Sequence, residues 1–152
     1  MKNFSSHKDA RIRAAFAVAK KIHAGQVDKA GADYFNHPLT VANNVGNDTS
    51  AIIVALLHDV VEDSSKTFDE LQREIPLTVE ELQALKLLTH DKNIPYLEYI
   101  AQIKANELAA KVKAADLKHN SDLSRIKNPT EKDLARVEKY RLALEILGGK
   151  NF

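Results

Sequence analysis

A chain of 152 residues, 44% apolar and 28% charged, can bury a core unaided, and this length predicts one domain over residues 1–152. Its 22 basic and 21 acidic residues leave a net charge of +1, which excludes the strongly basic surface that nucleic acid or an anionic membrane would need, though not a local basic pocket. There is no cysteine, hence no disulfide and no thiolate metal site; the N-terminal MKNFSSHKDARIR lacks the apolar stretch of a signal peptide, and the longest apolar run, 51–57, is too short to span a bilayer, so a cytoplasmic protein is expected.

Five glycines, four prolines and no alternating apolar stretch predict an all-α chain. Ser5 or Ser6 can cap a first helix running to about His23, whose positions Ile12, Ala15, Phe16, Ala19 and Ile22 recur on one face. A polar loop over 25–36 follows, then a short helix over 38–45 with Pro38 at an early position, where a missing N–H costs nothing. Asp48, Thr49 or Ser50 caps the next helix; its run AIIVALL has no polar face and predicts burial all round. Thr67–Glu70 and Thr78–Glu81 each match a capping box and mark two more helix starts. Helices over 95–104, 107–120 and 130–147 complete a bundle of roughly six to eight helices, with Gly148-Gly149 ending the last.

The segment ALLHDVVED carries the chemistry. An apolar run leads directly into His58, Asp59, Glu62 and Asp63, and four-residue spacing on a continuing helix would set His58 beside Glu62 and Asp59 beside Asp63. Charge at the end of a buried helix is costly unless it is paired or binds a cation, and imidazole with carboxylate suits Mn, Fe or Zn. The plainer alternative is a helix that surfaces, with Glu62 and Asp63 in solvent. Asp116 follows a mostly apolar stretch, with His119 and Asn120 just beyond; it is a further metal candidate or, more simply, a capping or solvated aspartate. His37, at a loop-to-helix junction, can point into a cleft, or can be an ordinary polar residue near the surface. His90-Asp91 lies in a polar stretch with no buried run before it and reads as loop, and His7 and His23 carry no specific case.

With His37, His58-Asp59 and Asp116 in that order, the chain resembles the HD-domain metal-dependent phosphohydrolases. Within them it is most similar to the RelA/SpoT-type hydrolase domain and to the small stand-alone alarmone hydrolases of the Mesh1 type. The matching blocks are HAGQVDKAG (23–31), YFNHPLTVA (34–42), ALLHDVVEDS (55–64), VKAADLKHN (112–120) and RVEKY (136–140). The resemblance implies an all-α fold and a Mn²⁺-dependent activity that removes the 3′-diphosphate of guanosine tetra- or pentaphosphate. It implies His37, His58, Asp59 and Asp116 as metal ligands, Glu62 and Asp63 as catalytic carboxylates, and Lys29, Asn120 and Tyr140 as contacts to a nucleotide substrate. Two positions depart from the pattern: Asp28 replaces an arginine and would repel phosphate, and Tyr96, with Lys92 nearby, stands where relatives carry a basic residue. Asp28 therefore keeps open a phosphohydrolase acting on another nucleotide or phosphorylated metabolite. A third alternative, a nucleotide-binding module without turnover, has no need of the second carboxylate pair, Glu62 and Asp63. The length leaves no room for a synthetase domain, so no alarmone synthesis is expected; oligomeric state is not legible.

Overall fold

In a computed structural model that describes residues 1–148, the chain is all-α. After a 3-10 turn at Phe4–Ser6 come α1 (Ala10–Ile22), α2 (Asn36–Asn43), α3 (Thr49–Leu57), α4 (Phe68–Glu74), α5 (Val79–Leu88), α6 (Tyr96–Lys104) and α7 (Glu107–Asn120). A second 3-10 turn at Leu123–Arg125 leads into α8 (Glu131–Ile146). The one extended pairing among the described residues is a bridge between Val27 and Asp33 in the loop after α1. No described helix is long and apolar enough to cross a membrane.

Helix α3 is the axle of the bundle. Every side chain from Ala51 to Leu57 is buried, and α1, α2, α5 and α7 pack around it. Most helix starts are fixed locally. Asp48 accepts the N–H of Ala51, and complete capping boxes open α4 at Thr67, α5 at Thr78 and α8 at Thr130. The first helix differs from the expectation: its cap is Asp9, whose carboxylate accepts the N–H of Arg11, and not Ser5 or Ser6. Burial of Phe4 draws Phe4–Ser6 into a separate turn against the core, so the helix starts later. Helix α2 begins two residues before Pro38, which still lies among the first-turn positions whose N–H groups have no helical acceptor. Gly148, at φ +81°, sits in the left-handed conformation that ends α8; Gly149 lies outside the described residues.

Away from the site, Glu81 ties three helices together. It is fully buried, closes the α5 capping box, and accepts from Arg11 Nη1 and from Ser50 Oγ, each at 2.6 Å. Burial opposes its charge, but the bonds from Arg11, Ser50 and the Thr78 backbone outweigh it and hold the carboxyl below its ordinary value of 4.5. Because the folded-state value is depressed, the stabilisation is present above about pH 4.5 and is lost as pH falls through the folded value. Glu81→Ala is therefore expected to cost about 2–4 kcal/mol at pH 7, with the gap to wild type narrowing in acid. Denaturant unfolding at pH 7 and at successively lower pH measures both.

Candidate metal centre and active-site cleft

The site is built where α3 runs out of apolar residues. The helix ends at Leu57, earlier than the four-residue spacing assumed, and 58–63 continue as turns. A bond from the Asp63 N–H to the Asp59 carbonyl, 2.9 Å, nonetheless keeps that pair one turn apart. His58 is buried, and its Nδ1–H donates to the Ala55 carbonyl at 2.6 Å. That bond fixes the tautomer and leaves Nε2 facing inward, where it is buried without a well-formed hydrogen bond. His37 comes from the first turn of α2 and Asp116 from α7, and both are buried.

These atoms converge. His37 Nε2 lies 2.7 Å from Asp116 Oδ1 and 3.7 Å from Asp59 Oδ2. His58 Nε2 lies 3.1 Å from Asp59 Oδ2 and 3.5 Å from Asp116 Oδ1. Donor atoms of His37, His58 and Asp59 all fall within 4.8 Å of one another. Two donors about 2.1 Å from a shared ion, at right angles, are about 3 Å apart, so this set fits one divalent cation. The electrostatics ask for one too. Burial disfavours a charged His58, yet Asp59 and Asp116 overcome it and raise its pKa well above 6.5. Burial likewise opposes ionised Asp59 and Asp116. The neighbouring His58 still holds Asp59 at about 2, and Lys113, His37 and His58 hold Asp116 well below the carboxylate range. Without an ion the two carboxylates are thus balanced by a proton held on His58 and by Lys113; a cation held by the same atoms would displace that proton, and nitrogen and oxygen donors alone suit a divalent transition ion.

A surrounding set of side chains holds these four. Tyr34 donates to Asp59 Oδ2 at 2.5 Å, Lys113 Nζ to Asp116 Oδ2 at 2.8 Å, and Asn120 Nδ2 to Asp116 Oδ1 at 3.0 Å. His119 Nδ1 lies 2.7 Å from His37 Nδ1; burial, then His37 and Arg125, lower the His119 pKa to about 4, so at neutral pH it is an uncharged partner for that ring. Three of these four, Tyr34, Lys113 and His119, were not predicted as site residues. Their signal was spacing: Lys113 and His119 flank Asp116 at three residues on one helix, and Tyr34 precedes His37 by three.

Asp59 and Asp116 of the cluster line a cleft of about 310 Å³, and a neighbouring cavity of about 290 Å³ shares its Tyr34, Asn120 and Tyr140 walls; each is of a size suited to a small-molecule ligand. Glu62 and Asp63 are solvent-exposed, yet both line the cleft. Although Asp63 keeps exposed surface, partial desolvation, with Asp59 and Glu62 nearby, pushes its carboxyl up to about 6. His90 does lie in a loop but belongs to the site, contrary to the sequence reading: its backbone N–H donates to Glu62 Oε1 at 2.8 Å and its ring stacks on Tyr99. His23, for which the sequence made no specific case, is buried against Tyr34. Lys29, Asn120 and Tyr140 line one cavity, as a shared ligand would require, together with Arg125 and Arg136. Asp28 does not stand against this basic wall: Arg125 pairs with it at 3.1 Å, and its other oxygen accepts the N–H groups of Ala30 and Ala32. The cation beside Tyr96 is Lys139 of α8, 4.5 Å from the ring centroid, and not Lys92, which does not line the cleft.

Known proteins resemble this chain in sequence and in fold. The chain is 34% identical over 136 residues to the zebrafish (Danio rerio) guanosine-3′,5′-bis(diphosphate) 3′-pyrophosphohydrolase MESH1, covering 82% of this chain and 74% of that protein. It is 30% identical over 146 residues to a probable GTP pyrophosphokinase of Mycobacterium leprae, of which it spans 18%, and 36% identical over 75 residues to the bifunctional (p)ppGpp synthase/hydrolase SpoT of Escherichia coli K12, of which it spans 11%. The chain therefore covers only a small part of these bacterial relatives. The fold matches that of a solved metazoan ortholog of SpoT that hydrolyses ppGpp, with a TM-score of 0.74 and 22% identity over 93% of this chain and 85% of that one. Matched by the sequence profile of the HD domain from residue 15 to residue 119, the chain belongs to the HD-domain family.

Proposed function

We propose that this protein is a metal-dependent pyrophosphohydrolase that removes the 3′-diphosphate of guanosine tetra- and pentaphosphate, in the cytoplasm and with Mn²⁺ as its ion. One observation carries the reading: His37, His58, Asp59 and Asp116 converge beside a cleft that Asp59, Asp116, Glu62 and Asp63 line and that shares Tyr34, Asn120 and Tyr140 with the Lys29–Arg125–Arg136 cavity. His37, His58, Asp59 and Asp116 would hold the ion. A bound divalent ion supplies Lewis acidity, which makes water a nucleophile near neutral pH.

The chain's own residues do the rest. Glu62, oriented by the His90 N–H, is placed to position a water in the cleft and take its proton, with Asp63 beside it. Lys29 binds phosphate oxygens in a cavity that Arg125, paired with Asp28, and Arg136, paired with Asp133, also line; the Tyr140 ring stacks on the nucleobase, and Asn120 reaches both the cavity and Asp116. The feature that favoured another substrate, the charge of Asp28, is taken up by Arg125, so it does not repel a polyanion at the cavity mouth.

The deciding experiment is a nucleotide panel with Mn²⁺ in which released phosphate and pyrophosphate are measured separately. Guanosine tetraphosphate is expected to yield pyrophosphate and guanosine diphosphate, with nucleoside monophosphates cleaved far more slowly. Rapid monophosphate cleavage with the tetraphosphate untouched would replace this reading with a phosphohydrolase on another substrate.

A further inference from the structure

The Glu62 side chain is exposed, and among the described residues a single hydrogen bond holds its carboxylate, the one from the His90 backbone N–H at 2.8 Å. An exposed glutamate samples many rotamers, so this carboxylate is only as well placed as that N–H. The N–H lies in the loop between α5 and α6, and a loop amide ordinarily moves with its loop.

The His90 side chain restrains this loop from two directions. Its Nε2 meets the Ile94 carbonyl, four residues on, at 2.8 Å; a carbonyl only accepts, so that nitrogen carries the proton. Within the closed loop the Ile94 N–H donates back to the Asp91 carbonyl at 3.0 Å. The imidazole also stacks on Tyr99 of α6, with centroids 4.3 Å and planes 23° apart. Tyr99 is itself immobilised: it is buried, and its hydroxyl donates to the carbonyl of Leu88, the last residue of α5, at 2.7 Å. One imidazole thus ties the loop to itself and to a ring that bridges both flanking helices. The same Tyr99 ring lies 5.4 Å from Lys113 Nζ, which pairs with Asp116, so it borders both the group that orients Glu62 and the cation that holds Asp116.

We propose that His90 is a positioning residue: its ring, pinned to Ile94 and stacked on Tyr99, fixes the N–H that orients Glu62, and so places the general base without touching substrate. The inference rests on Glu62 being the group that handles water.

His90→Ala keeps the backbone N–H and removes what holds it, which gives two measurements on the full chain. The first is amide hydrogen exchange at residue 90 without metal or nucleotide. It is expected to quicken by at least about tenfold in His90→Ala, and also in Glu62→Ala, where the acceptor is gone. The second is the single-turnover rate on guanosine tetraphosphate at saturating Mn²⁺. It is expected to fall about 10- to 100-fold in His90→Ala, the cost of a misplaced group, while ion affinity is kept. His90→Phe retains a ring to stack on Tyr99 and loses the bond to Ile94, so it should lie between wild type and alanine in both measurements; it also serves if the alanine variant folds poorly. A merely structural role would slow every background alike. Glu62→Gln has already lost its proton acceptor, so adding His90→Ala to it is expected to cost less than about twofold more. The proposal is overturned if residue 90 stays as protected in His90→Ala as in wild type, or if the two rate losses multiply. Should wild type leave guanosine tetraphosphate intact, the substrate reading fails, and the exchange measurement alone decides whether His90 holds the donor to Glu62.

Discussion

Asp116→Ala is expected to lose at least about 100-fold in affinity for Mn²⁺, and activity with it. Asp116 offers one oxygen to the cluster, 2.7 Å from His37 Nε2 and 3.5 Å from His58 Nε2, and no other side chain on α7 replaces it there. The same substitution has a second effect that the position of Lys113 makes quantitative. Lys113 is largely buried and its ammonium is paired with Asp116 Oδ2, so alanine leaves a buried cation without its partner, at a cost of about 3 kcal/mol. Ion affinity and stability are therefore expected to fall together in Asp116→Ala. Asp116→Asn separates them: the amide oxygen still accepts from Lys113 or Asn120, so more of the stability survives, while the lost charge weakens the ion. Calorimetric titration with Mn²⁺ and denaturant unfolding, run on both variants, give the two quantities. Unchanged ion binding in Asp116→Ala would remove Asp116 from the ligand set.

Glu62→Gln is expected to keep the ion and to lower the rate by about 10²–10⁴-fold, the usual contribution of a positioned general base. The structure makes this a clean substitution. Glu62 is held through Oε1 by the backbone N–H of His90, and a glutamine oxygen can accept the same bond, so position is kept while the proton-accepting charge is removed. Its Oε1 is taken up by the His90 N–H, and no hydrogen bond or ion pair joins Glu62 to His37, His58, Asp59 or Asp116. Single-turnover rates at saturating Mn²⁺, beside a measured ion affinity, separate chemistry from loading. A variant that loses ion and rate in parallel would place Glu62 among the ligands and not among the groups that handle water.

The sequence alone determined what local physics determines. The capping boxes at Thr67 and Thr78 and the bounds of α7 are set by residues within a few positions of one another, and they stand as read. The unbroken run from Ala51 to Leu57 has no face that could meet water, which required α3 to be buried on all sides. His37, His58, Asp59 and Asp116 were legible as a group through their residue types and family order, since neither spacing nor periodicity links 37 to 116. Tertiary structure decided the rest, because those groups act across the chain. His90 reads as loop until the fold carries its N–H to Glu62, 28 residues away. Asp28 reads as a repulsive charge until Arg125, 97 residues on, pairs with it. Tyr96 and Lys139 share no helix, and only the packing of α6 against α8 sets the ammonium over the ring. A side chain's charge and hydrogen-bonding capacity are written in the sequence, but which partner satisfies them depends on distances that the packing of the helices sets.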